Sequence, residues 1–406
     1  MNACGSPTVA KVLAGNLCSG CGLCAGLTQT AMVVEQPGFN RPRISAPVPA
    51  ETEAAIAGSC PGVVVAPWGP ASHRHHYWGP YLALRTGHAT NERLRHRSSS
   101  GGALSALLGH ALETNIVDAI VEVMADPSRP TWNIVTVATS ADEILAGAGS
   151  RYAPSSPLES ILQLLERKDR LAFVGKPCDV SALRLLGRHD ARVAERFPLI
   201  LSFFCAGIPS LQRSDAVVRK MGLDPAELES FRYRGEGWPG HAAGKSLNGD
   251  EKRMTYADSW GGVLSKEIQF RCKICPDAVG GSADLVCADA WHCDASGYPV
   301  FEDLPGRSLI IPRTPAGADL LRGAVEARAV RLDPEKLSDD DIGRMQPGQT
   351  GKKSLVSART AALRLLLRPV PIMEGLSVRE ASKRASAGLR LRNFVGMIRR
   401  VLRGKM

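Results

Sequence analysis

The cysteines of one short loop constrain this chain more than any other feature. They occur at two-residue spacing in LCSGCGLCAG: Cys18, Cys21 and Cys24. A loop with this spacing can wrap a cube of iron and sulfide and place three thiolates at its corners. The ferredoxin run would add a fourth cysteine and a proline shortly afterwards, but Ala25, Gly26 and Leu27 follow here. Since Cys60 is followed by Pro61, we predict that it is the remote fourth ligand of a 4Fe–4S cluster.

Zinc is the alternative metal at this site, because four cysteines can also form a structural zinc ribbon without a redox role.

The start of the chain, MNACGSPTVAKVLAGN, lacks the charged-then-apolar pattern of a signal peptide. No run reaches the 18 apolar residues that a membrane span needs. We therefore expect a cytoplasmic protein. Its eleven cysteines would then serve metal or redox chemistry rather than disulfides.

The 406 residues suggest two or three domains, and 44% hydrophobic with 22% charged residues is typical of a soluble globular chain. Residues 1–65 are expected to form a small ferredoxin-like module. Residues 66–80, rich in proline, glycine and histidine, are expected to be a linker and a solvated loop. Residues 81–335 are expected to be an α/β catalytic domain, and residues 336–406 a basic helical tail.

The pattern of residues 81–335 predicts the fold class. Short apolar runs such as 171–174 and 198–205 alternate with helical stretches such as 101–113. Alternation of this kind is typical of βαβ units. We predict an α/β fold with a mixed, largely parallel sheet and flanking helices, preceded by the iron–sulfur module and followed by the basic tail.

Charge is concentrated at the end of the chain. Of the net charge of +10, residues 351–406 contribute fourteen Lys and Arg against two Glu, so the preceding residues sum to about −2. The basic pI therefore belongs to the tail, and we expect no nucleic acid as a partner.

The tail is expected to contain two helices. Ser377, with Glu380 three positions on, has the spacing of a capping box. The stretch 389–403 then places apolar residues on one helical face: Leu391, Phe394, Val395, Ile398 and Leu402. A basic amphipathic helix suits an anionic membrane surface or an acidic partner. A last helix packed on the domain, with its charges in water, fits the pattern equally well.

Four further cysteines lie in the α/β region. Cys178 follows an apolar strand, Cys205 ends the run PLILSFFC, and Cys272 and Cys275 form the pair in RCKICPD. Ligands of open α/β sheets gather beyond the carboxyl ends of strands, so these cysteines could converge on a second cluster. Two alternatives remain open, namely a small buried hydrophobe at Cys205 and a dithiol redox pair in CKIC.

Several motifs together resemble one family. RSSSGGALSALL, GSRYAPS, FVGKPCDVSALR, FFCAGIPS, RCKICPD and ADLVCADAW occur in this order between about Tyr81 and Val330. They resemble the beta subunit of the hydrogenases and dehydrogenases that reduce the deazaflavin coenzyme F420. Relatives in this family include 7-hydroxymethyl chlorophyll a reductase and divinyl chlorophyllide reductase. The tail lies outside the resemblance.

The resemblance implies FAD together with one or two 4Fe–4S clusters, with Cys178, Cys205, Cys272 and Cys275 as ligands of a second cluster. It places two segments at the flavin: Ser98, Ser99, Ser100, Gly101, Gly102, Ser150, Arg151 and Tyr152. Lys176 and Asp289 stand near cluster-loop positions, where they would tune the flavin or accept a proton; a surface lysine and a helix-capping aspartate are the alternatives.

The chemistry of these segments is consistent with a flavin. Ser98 to Gly102 precede an apolar helix, whose free N–H groups can bind a pyrophosphate. Arg151 can pair with a phosphate through two hydrogen bonds, and Tyr152 can stack on a ring. A serine N-cap followed by an ordinary turn is the plainer explanation.

The sequence thus predicts an FAD- and 4Fe–4S-dependent oxidoreductase that acts on an unidentified small-molecule substrate. Electrons would enter from a donor such as ferredoxin through the N-terminal module, cross the second cluster and reach FAD, or run in reverse. A homo-oligomer is also expected. Alternatives are a coenzyme-F420-reducing subunit of a larger complex, a tetrapyrrole reductase, a membrane-tethered redox protein of polysaccharide synthesis, and a zinc-stabilised scaffold. No residue is assigned as the proton donor.

Overall fold

The computed structural model describes residues 4–71, 73–295 and 298–404. The strands are β1 (Met32–Glu35), β2 (Phe39–Pro42), β3 (His73–His75), β4 (Gly79–Tyr81), β5 (Arg85–Ala89), β6 (Ala119–Asp126), β7 (Arg129–Ala138), β8 (Leu171–Gly175), β9 (Leu199–Phe203), β10 (Leu228–Arg232), β11 (Ala242–Ser246), β12 (Glu251–Met254), β13 (Leu285–Asp289), β14 (Ser308–Pro312) and β15 (Val330–Leu332).

The helices are α1 (Pro7–Ala14), α2 (Leu23–Leu27), α3 (Ala50–Ser59), α4 (Glu92–Arg97), α5 (Ala103–Glu113), α6 (Ala141–Gly147), α7 (Ile161–Glu166), α8 (Pro177–Leu186), α9 (Arg192–Arg196), α10 (Leu211–Lys220), α11 (Phe270–Lys273), α12 (Pro315–Glu326), α13 (Asp339–Met345), α14 (Pro347–Ser354), α15 (Val356–Leu365), α16 (Val378–Lys383) and α17 (Ala387–Leu402).

The described residues form one large sheet of eight strands in the order β15-β5-β14-β13-β9-β8-β6-β7. Its four inner strands, β13, β9, β8 and β6, pair in parallel, whereas the flanking pairs are antiparallel. The expectation of a mixed α/β sheet is confirmed, but the sheet is not largely parallel, because three of its seven strand pairings are parallel and four are antiparallel. The tight connection between β6 and β7 leaves no room for a crossover helix, so that edge is antiparallel.

Helices cover both faces of this sheet. On one face α5 and α12 pack against the apolar side chains of the inner strands, including Leu201, Leu285 and Cys287. On the other face α7 and α8 pack against Phe173 and Ile200. The continuously apolar sequences of β8 and β9 follow from this burial on two sides.

The linker prediction for residues 66–80 is wrong in one respect. This stretch is not a solvated loop, because Trp68 and Trp78 are buried in a cluster with strand and tail residues. β3 and β4 pair as a hairpin, and the Trp78 indole N–H donates to the Asp339 carbonyl at 3.0 Å. The histidine-rich stretch thus joins the tail to the sheet.

The tail is helical, as expected, and it packs on the body. Met397 of α17 is 4% exposed and lies in a cluster with Val12, Leu17 and Cys18 of the N-terminal module. Packing of the last helix on the domain is therefore the alternative that the structure supports. The buried face of α17 agrees with the expected one at Phe394 and Ile398, which pack against this cluster, but Leu391 and Leu402 are exposed.

The expected capping box is wrong. Ser377 has a φ of 50°, in the left-handed region, and its side chain makes no capping hydrogen bond within the described residues. An N-cap serine needs an extended backbone to reach the first free N–H groups. Ser386 has that conformation and caps α17 by accepting from the Leu389 N–H. Within the described ranges, no helix combines the length and apolar character that crossing a bilayer requires.

Candidate functional site

The first four predicted cysteines surround one small space, here called the N-terminal cysteine cavity. Its cysteines are Cys18, Cys21, Cys24 and Cys60. The first two belong to the loop between α1 and α2, Cys24 lies in α2, and Cys60 caps the carboxyl end of α3. Apolar side chains such as Val12, Leu23 and Ile56 form the rest of the wall. The fold therefore brings the remote Cys60 to the loop, as the sequence predicts.

Two glycines give the loop its shape. Gly20 and Gly22 have φ values of 75° and 87°, a region that residues with a side chain rarely adopt. A Cβ at Gly22 would stand 2.7 Å from the Glu159 backbone nitrogen. The Gly20 N–H donates to the Cys18 sulfur at 3.4 Å. The glycine-rich sequence thus lets the backbone curl around its own thiols.

Burial controls the protonation of these thiols. Desolvation raises the pKa of Cys21 to about 12 and that of Cys60 to about 11, because a thiolate is poorly stabilised there. Desolvation also raises the pKa of Cys18, with the Arg41 guanidinium opposing the shift. Thiols of this kind are unreactive until a metal replaces their protons.

The second set of cysteines surrounds another space, here called the second cysteine cavity. Its cysteines are Cys178, Cys205, Cys272 and Cys275. Cys178 lies in the first turn of α8, directly after β8, and Cys205 follows the neighbouring β9. The Cys205 N–H donates to the Ala278 carbonyl at 2.8 Å, which ties the strand end to the loop after α11. Convergence at the carboxyl ends of parallel strands is as predicted.

Burial also favours the protonated form of Cys178 and Cys205 in this cavity. Desolvation raises the pKa of Cys205 to about 12 and holds that of Cys178 well above its ordinary value. The tail contributes to the wall through Gln349, Lys352 and Lys353 of α14. These three residues carry no motif and were missed by sequence reasoning.

Both cavities fit an iron–sulfur cluster in their donor chemistry. Four sulfur donors on largely apolar walls are the ligand set of a 4Fe–4S cluster. In the part of the chain that the structure describes, no group of three or more His, Cys, Asp or Glu side chains could hold a single metal ion. Ligation of clusters by these cysteines stays a prediction.

A third space, the main cavity, has a volume of about 300 Å³. It opens at the carboxyl ends of β8, β9 and β13 and at the start of α5. Nine of the ten predicted flavin residues line it: Ser98, Ser99, Ser100, Gly102, Ser150, Arg151, Tyr152, Lys176 and Asp289. Gly101 lies behind the wall, where a Cβ would stand 2.7 Å from the Ser308 nitrogen. The fold thus brings the two separate sequence segments together.

The start of α5 is suited to an anion. Gly102, with a φ of 73°, is the N-cap, and no side chain of the described residues caps the helix. The first N–H groups of this eleven-residue helix therefore face the cavity without a side-chain acceptor. The Ser99 hydroxyl accepts from the Ser150 N–H, which fixes the two segments to each other. The residues present fit a flavin pyrophosphate.

Arg151 is engaged differently from the expectation. Its Nε donates to the Asn133 side chain at 2.9 Å, and its Nη2 donates to the Pro130 and Trp132 carbonyls. Its Nη1 donates to the Phe231 carbonyl. The expected two-pronged contact with a phosphate is wrong, because these contacts leave only one N–H of Arg151 available within the described structure.

Arg234 is a buried residue that sequence reasoning missed. Its two Nη atoms donate to the two Asp289 carboxylate oxygens at 2.9 Å each, and the Trp238 indole N–H donates to the same carboxylate. The Asp289 carboxylate holds the pKa of Arg234 above its already high ordinary value. Arg234 also donates to the Ser99 carbonyl. Asp289 is thus the partner of a buried arginine that braces the start of α5.

Lys176 is likewise paired rather than free. Its Nζ lies 2.7 and 2.8 Å from the two Asp179 carboxylate oxygens, and both side chains are buried. The Asp179 charge raises the pKa of Lys176, against the opposing effect of burial. The pair flanks Cys178 in the sequence and fixes the first turn of α8, with Lys176 and Asp179 lining the main cavity and Cys178 the second cysteine cavity.

Aromatic residues form one side of the main cavity. Tyr152 contacts Trp260 with ring centroids 4.9 Å apart. Tyr256 stacks on Trp291 at 5.8 Å, and the Arg234 guanidinium lies over both of these rings. A surface of this kind favours contact with flat conjugated molecules.

Glu122 of β6 is a second missed residue in the main cavity. It is buried, and its Oε1 has no hydrogen-bond partner among the described residues. Desolvation, with a smaller effect of Glu143, raises the pKa of Glu122 to about 7. Glu122 lies within the otherwise apolar run 119–125 of β6, so the sequence offered no functional signal.

The three cavities adjoin in a fixed order. Ser19 lines both the N-terminal and the second cysteine cavity. Residues 205–208 and Gln349 line both the second cysteine cavity and the main cavity. The second cysteine cavity therefore lies between the other two.

Comparison with known proteins identifies relatives that are similar in sequence to this chain. The coenzyme F420 hydrogenase subunit beta of Methanothermobacter thermautotrophicus is 24% identical over 302 residues, which are 72% of this chain and 99% of the relative. The subunit of the same name from Methanococcus voltae is 26% identical over 312 residues, with coverages of 72% and 99%. The 7-hydroxymethyl chlorophyll a reductase of Oryza sativa subsp. japonica is 26% identical over 210 residues, which are 51% of this chain and 41% of that protein. These relatives are named as oxidoreductases.

A solved structure shows the same fold. A chain of the F420-reducing NiFe hydrogenase complex from Methanosarcina barkeri matches with a TM-score of 0.54 and 20% identity, over 71% of this chain and 96% of that one. Two family models also match. The model for the amino-terminal part of the coenzyme F420 hydrogenase/dehydrogenase beta subunit matches residues 84–163, and the model for its carboxyl-terminal part matches residues 168–338. Since these matches together span well over half of its length, the chain belongs to the coenzyme F420 hydrogenase/dehydrogenase beta-subunit family.

Proposed function

We propose that this protein is an oxidoreductase that passes electrons between two 4Fe–4S clusters and FAD, to or from a small-molecule substrate. The observation that carries the proposal is the order of the cavities. The N-terminal and second cysteine cavities share Ser19, and the second cysteine cavity shares residues 205–208 and Gln349 with the main cavity. An electron relay needs centres that adjoin in this way.

The chain's own residues have distinct tasks in this proposal. The N–H groups at the start of α5 bind the flavin pyrophosphate, and the Arg234–Asp289 pair holds that segment in place. The Lys176–Asp179 pair keeps the helix of Cys178 in position. When bound, the clusters exchange single electrons and FAD converts these into a two-electron step.

The substrate that we propose is a flat conjugated molecule. The aromatic side of the main cavity, with Tyr152, Tyr256, Trp260 and Trp291, supports this class of ligand. The relatives' names point the same way, since they refer to coenzyme F420 and to a chlorophyll derivative. Titration with each of these two compounds, followed by quenching of the protein's tryptophan fluorescence, would test the class, with a non-aromatic hydroxy acid as the control.

Cofactor content decides between this proposal and a zinc-stabilised scaffold. Protein purified without oxygen is expected to contain about eight iron atoms, eight acid-labile sulfides and one FAD per chain. Zinc without flavin would overturn the proposal. Iron, sulfide, zinc and flavin analyses on one preparation make the measurement complete.

The fourth ligand of the N-terminal cluster can be tested separately. Cys60→Ser is expected to lower the iron content by about four atoms per chain and to leave the flavin in place. Cys4→Ser is the matched control, because Cys4 lies outside both cysteine cavities. Unchanged iron in Cys60→Ser would show that another residue completes the site.

A ferredoxin-type protein is the electron donor that we propose for the N-terminal cluster. A single-electron carrier matches a centre that accepts electrons singly. Reduced ferredoxin should bleach the flavin absorbance of the parent protein rapidly and that of Cys60→Ser at least tenfold more slowly. Equal rates would mean that electrons enter by another route.

A further inference from the structure

Lys353 of α14 carries a buried amine without a counter-charge in contact, and desolvation lowers its pKa to about 7. It is 5% exposed, and its Nζ has no hydrogen-bond acceptor among the described residues. Its nearest aromatic neighbour is Trp68, whose ring centroid lies 3.5 Å from the Nζ. A buried cation normally has a paired anion, since desolvation without one is costly.

The side chain of Lys353 faces the second cysteine cavity. It lines that cavity together with the four cysteines and Asp277. The Asp277 carboxylate accepts hydrogen bonds from the backbone N–H groups of Val279 and Gly281 instead. The cavity therefore combines four sulfur donors with a buried amine that has no acidic side chain in contact.

The helix of Lys353 is fixed to the wall of this cavity. The Gln349 amide donates to the Cys205 carbonyl at 3.3 Å, and the Lys352 ammonium donates to the Ala206 carbonyl. Because α14 is attached at Cys205, the position of the Lys353 ammonium is set relative to the cysteines. The match to the family ends at residue 338, before α14 begins.

We propose that Lys353 is the internal counter-charge of the second cluster and raises its reduction potential. This inference rests on the proposed function, because it requires a cluster in the second cysteine cavity. Four thiolates around a 4Fe–4S core carry net negative charge, and one electron from the donor adds one more. The negative charge of a bound cluster would favour the protonated form of this amine. A cation held beside the cluster at low dielectric stabilises the reduced state more than the oxidised state. Lys353 is thus a positioning residue for electron flow and does not itself ligate iron.

The test is a redox titration of the cofactor-loaded protein, monitored by electron paramagnetic resonance. In Lys353→Met, the ratio of reduced to oxidised second cluster at a fixed potential is expected to fall at least tenfold, which is a shift of about 59 mV. The N-terminal cluster serves as the internal reference and should keep its potential. The Cys60→Ser background identifies which signal belongs to the second cluster.

Two further variants control for structure and for general charge. Lys353→Arg keeps the positive charge and should keep a potential close to that of the parent. Lys383→Met removes a charge from the exposed part of the same tail and should shift neither cluster. If Lys353→Met fails to load the second cluster, Lys353→Gln carries the same expected shift with a polar side chain.

The outcomes separate this inference from the proposed function. An iron content of eight with an unchanged second-cluster potential in Lys353→Met would overturn the inference alone. An equal shift of both clusters, or the same shift in Lys383→Met, would also overturn it, because the effect would then be general. A parent protein with iron only for the N-terminal cluster would overturn the proposed relay and this inference together.

Discussion

The N-terminal cysteine cavity takes three of its four cysteines from seven consecutive residues, whereas the second cysteine cavity takes its four from three separate segments. In the first, glycines at positions 20 and 22 let one loop form most of the site. In the second, parallel strands β8 and β9 carry Cys178 and Cys205 to one edge, and α11 with the residues after it supplies Cys272 and Cys275. The first site therefore depends on local backbone conformation, and the second depends on the whole sheet and on the tail.

The largest effect should come from Cys205→Ser, because this residue lines both the second cysteine cavity and the main cavity. We expect a loss of about four iron atoms per chain and loss of electron delivery to the flavin. Iron analysis and the rate of flavin bleaching by reduced donor measure the two effects. Cys287→Ser, which alters a buried cysteine of the sheet core instead, should retain about eight iron atoms.

A large loss of stability should follow Lys176→Met, which tests how far the second site depends on its scaffold. The change leaves the Asp179 carboxylate buried without its partner. Removing one member of a buried pair costs about 3–5 kcal/mol of unfolding free energy. Denaturant unfolding of this variant beside Lys245→Met, which breaks the exposed pair with Glu229, gives the comparison. Equal midpoints would contradict a structural role for the buried pair.

The pH dependence of stability should depend measurably on Glu122. Its native pKa is raised from an ordinary 4.5 to about 7, so the native state binds this proton more tightly than the unfolded state. The resulting stability is full below pH 4.5 and is lost as the pH rises to about 7, a change of about 3 kcal/mol.

Glu122→Gln keeps the size of the side chain and removes the titration. Unfolding at pH 5 and at pH 8 should therefore differ less in the variant than in the parent. The variant should be more stable to unfolding than the parent at pH 8 and equally stable at pH 5. Parallel pH profiles for the two proteins would show that Glu122 titrates normally.

The smallest predicted change in unfolding free energy is that of an exposed residue of α17, the helix that packs on the N-terminal module. Leu391→Ala should change the unfolding free energy by less than about 0.5 kcal/mol, because this side chain is 63% exposed. Met397→Ala, on the buried face of the same helix, should cost about 2–5 kcal/mol. Calorimetric or denaturant unfolding of the pair checks the contrast, and a reversed order would mean that the helix docks through its other face.

The contrast between the two sites also explains what could be predicted from the sequence. The spacing of Cys18, Cys21 and Cys24 is a local property, and the glycine-rich loop that it predicted is present. The strand and helix alternation predicted the layered sheet, because burial on two faces leaves a continuous apolar pattern in β8 and β9. Convergence of Cys178 and Cys205 followed from that topology.

Other features depend on contacts between distant segments and leave no local pattern. Arg234 and Asp289 are 55 residues apart in the sequence, and nothing in the sequence around either residue indicates that they pair. Lys353 looks like any lysine of a basic tail until the packing of α14 buries it. The capping box at Ser377 had the right residues, but the backbone there turns left-handed. Spacing alone does not report such a conformation.

The docking of α14 and α17 has a consequence for biosynthesis. The ribosome makes the chain from its amino end, and folding of earlier segments can begin before the end is released. All eight cysteines of the two cavities precede residue 276, whereas the helices that close over them come after residue 346. Both sets of cysteines are therefore synthesised before the helices that cover them, so the two cavities gain this cover last.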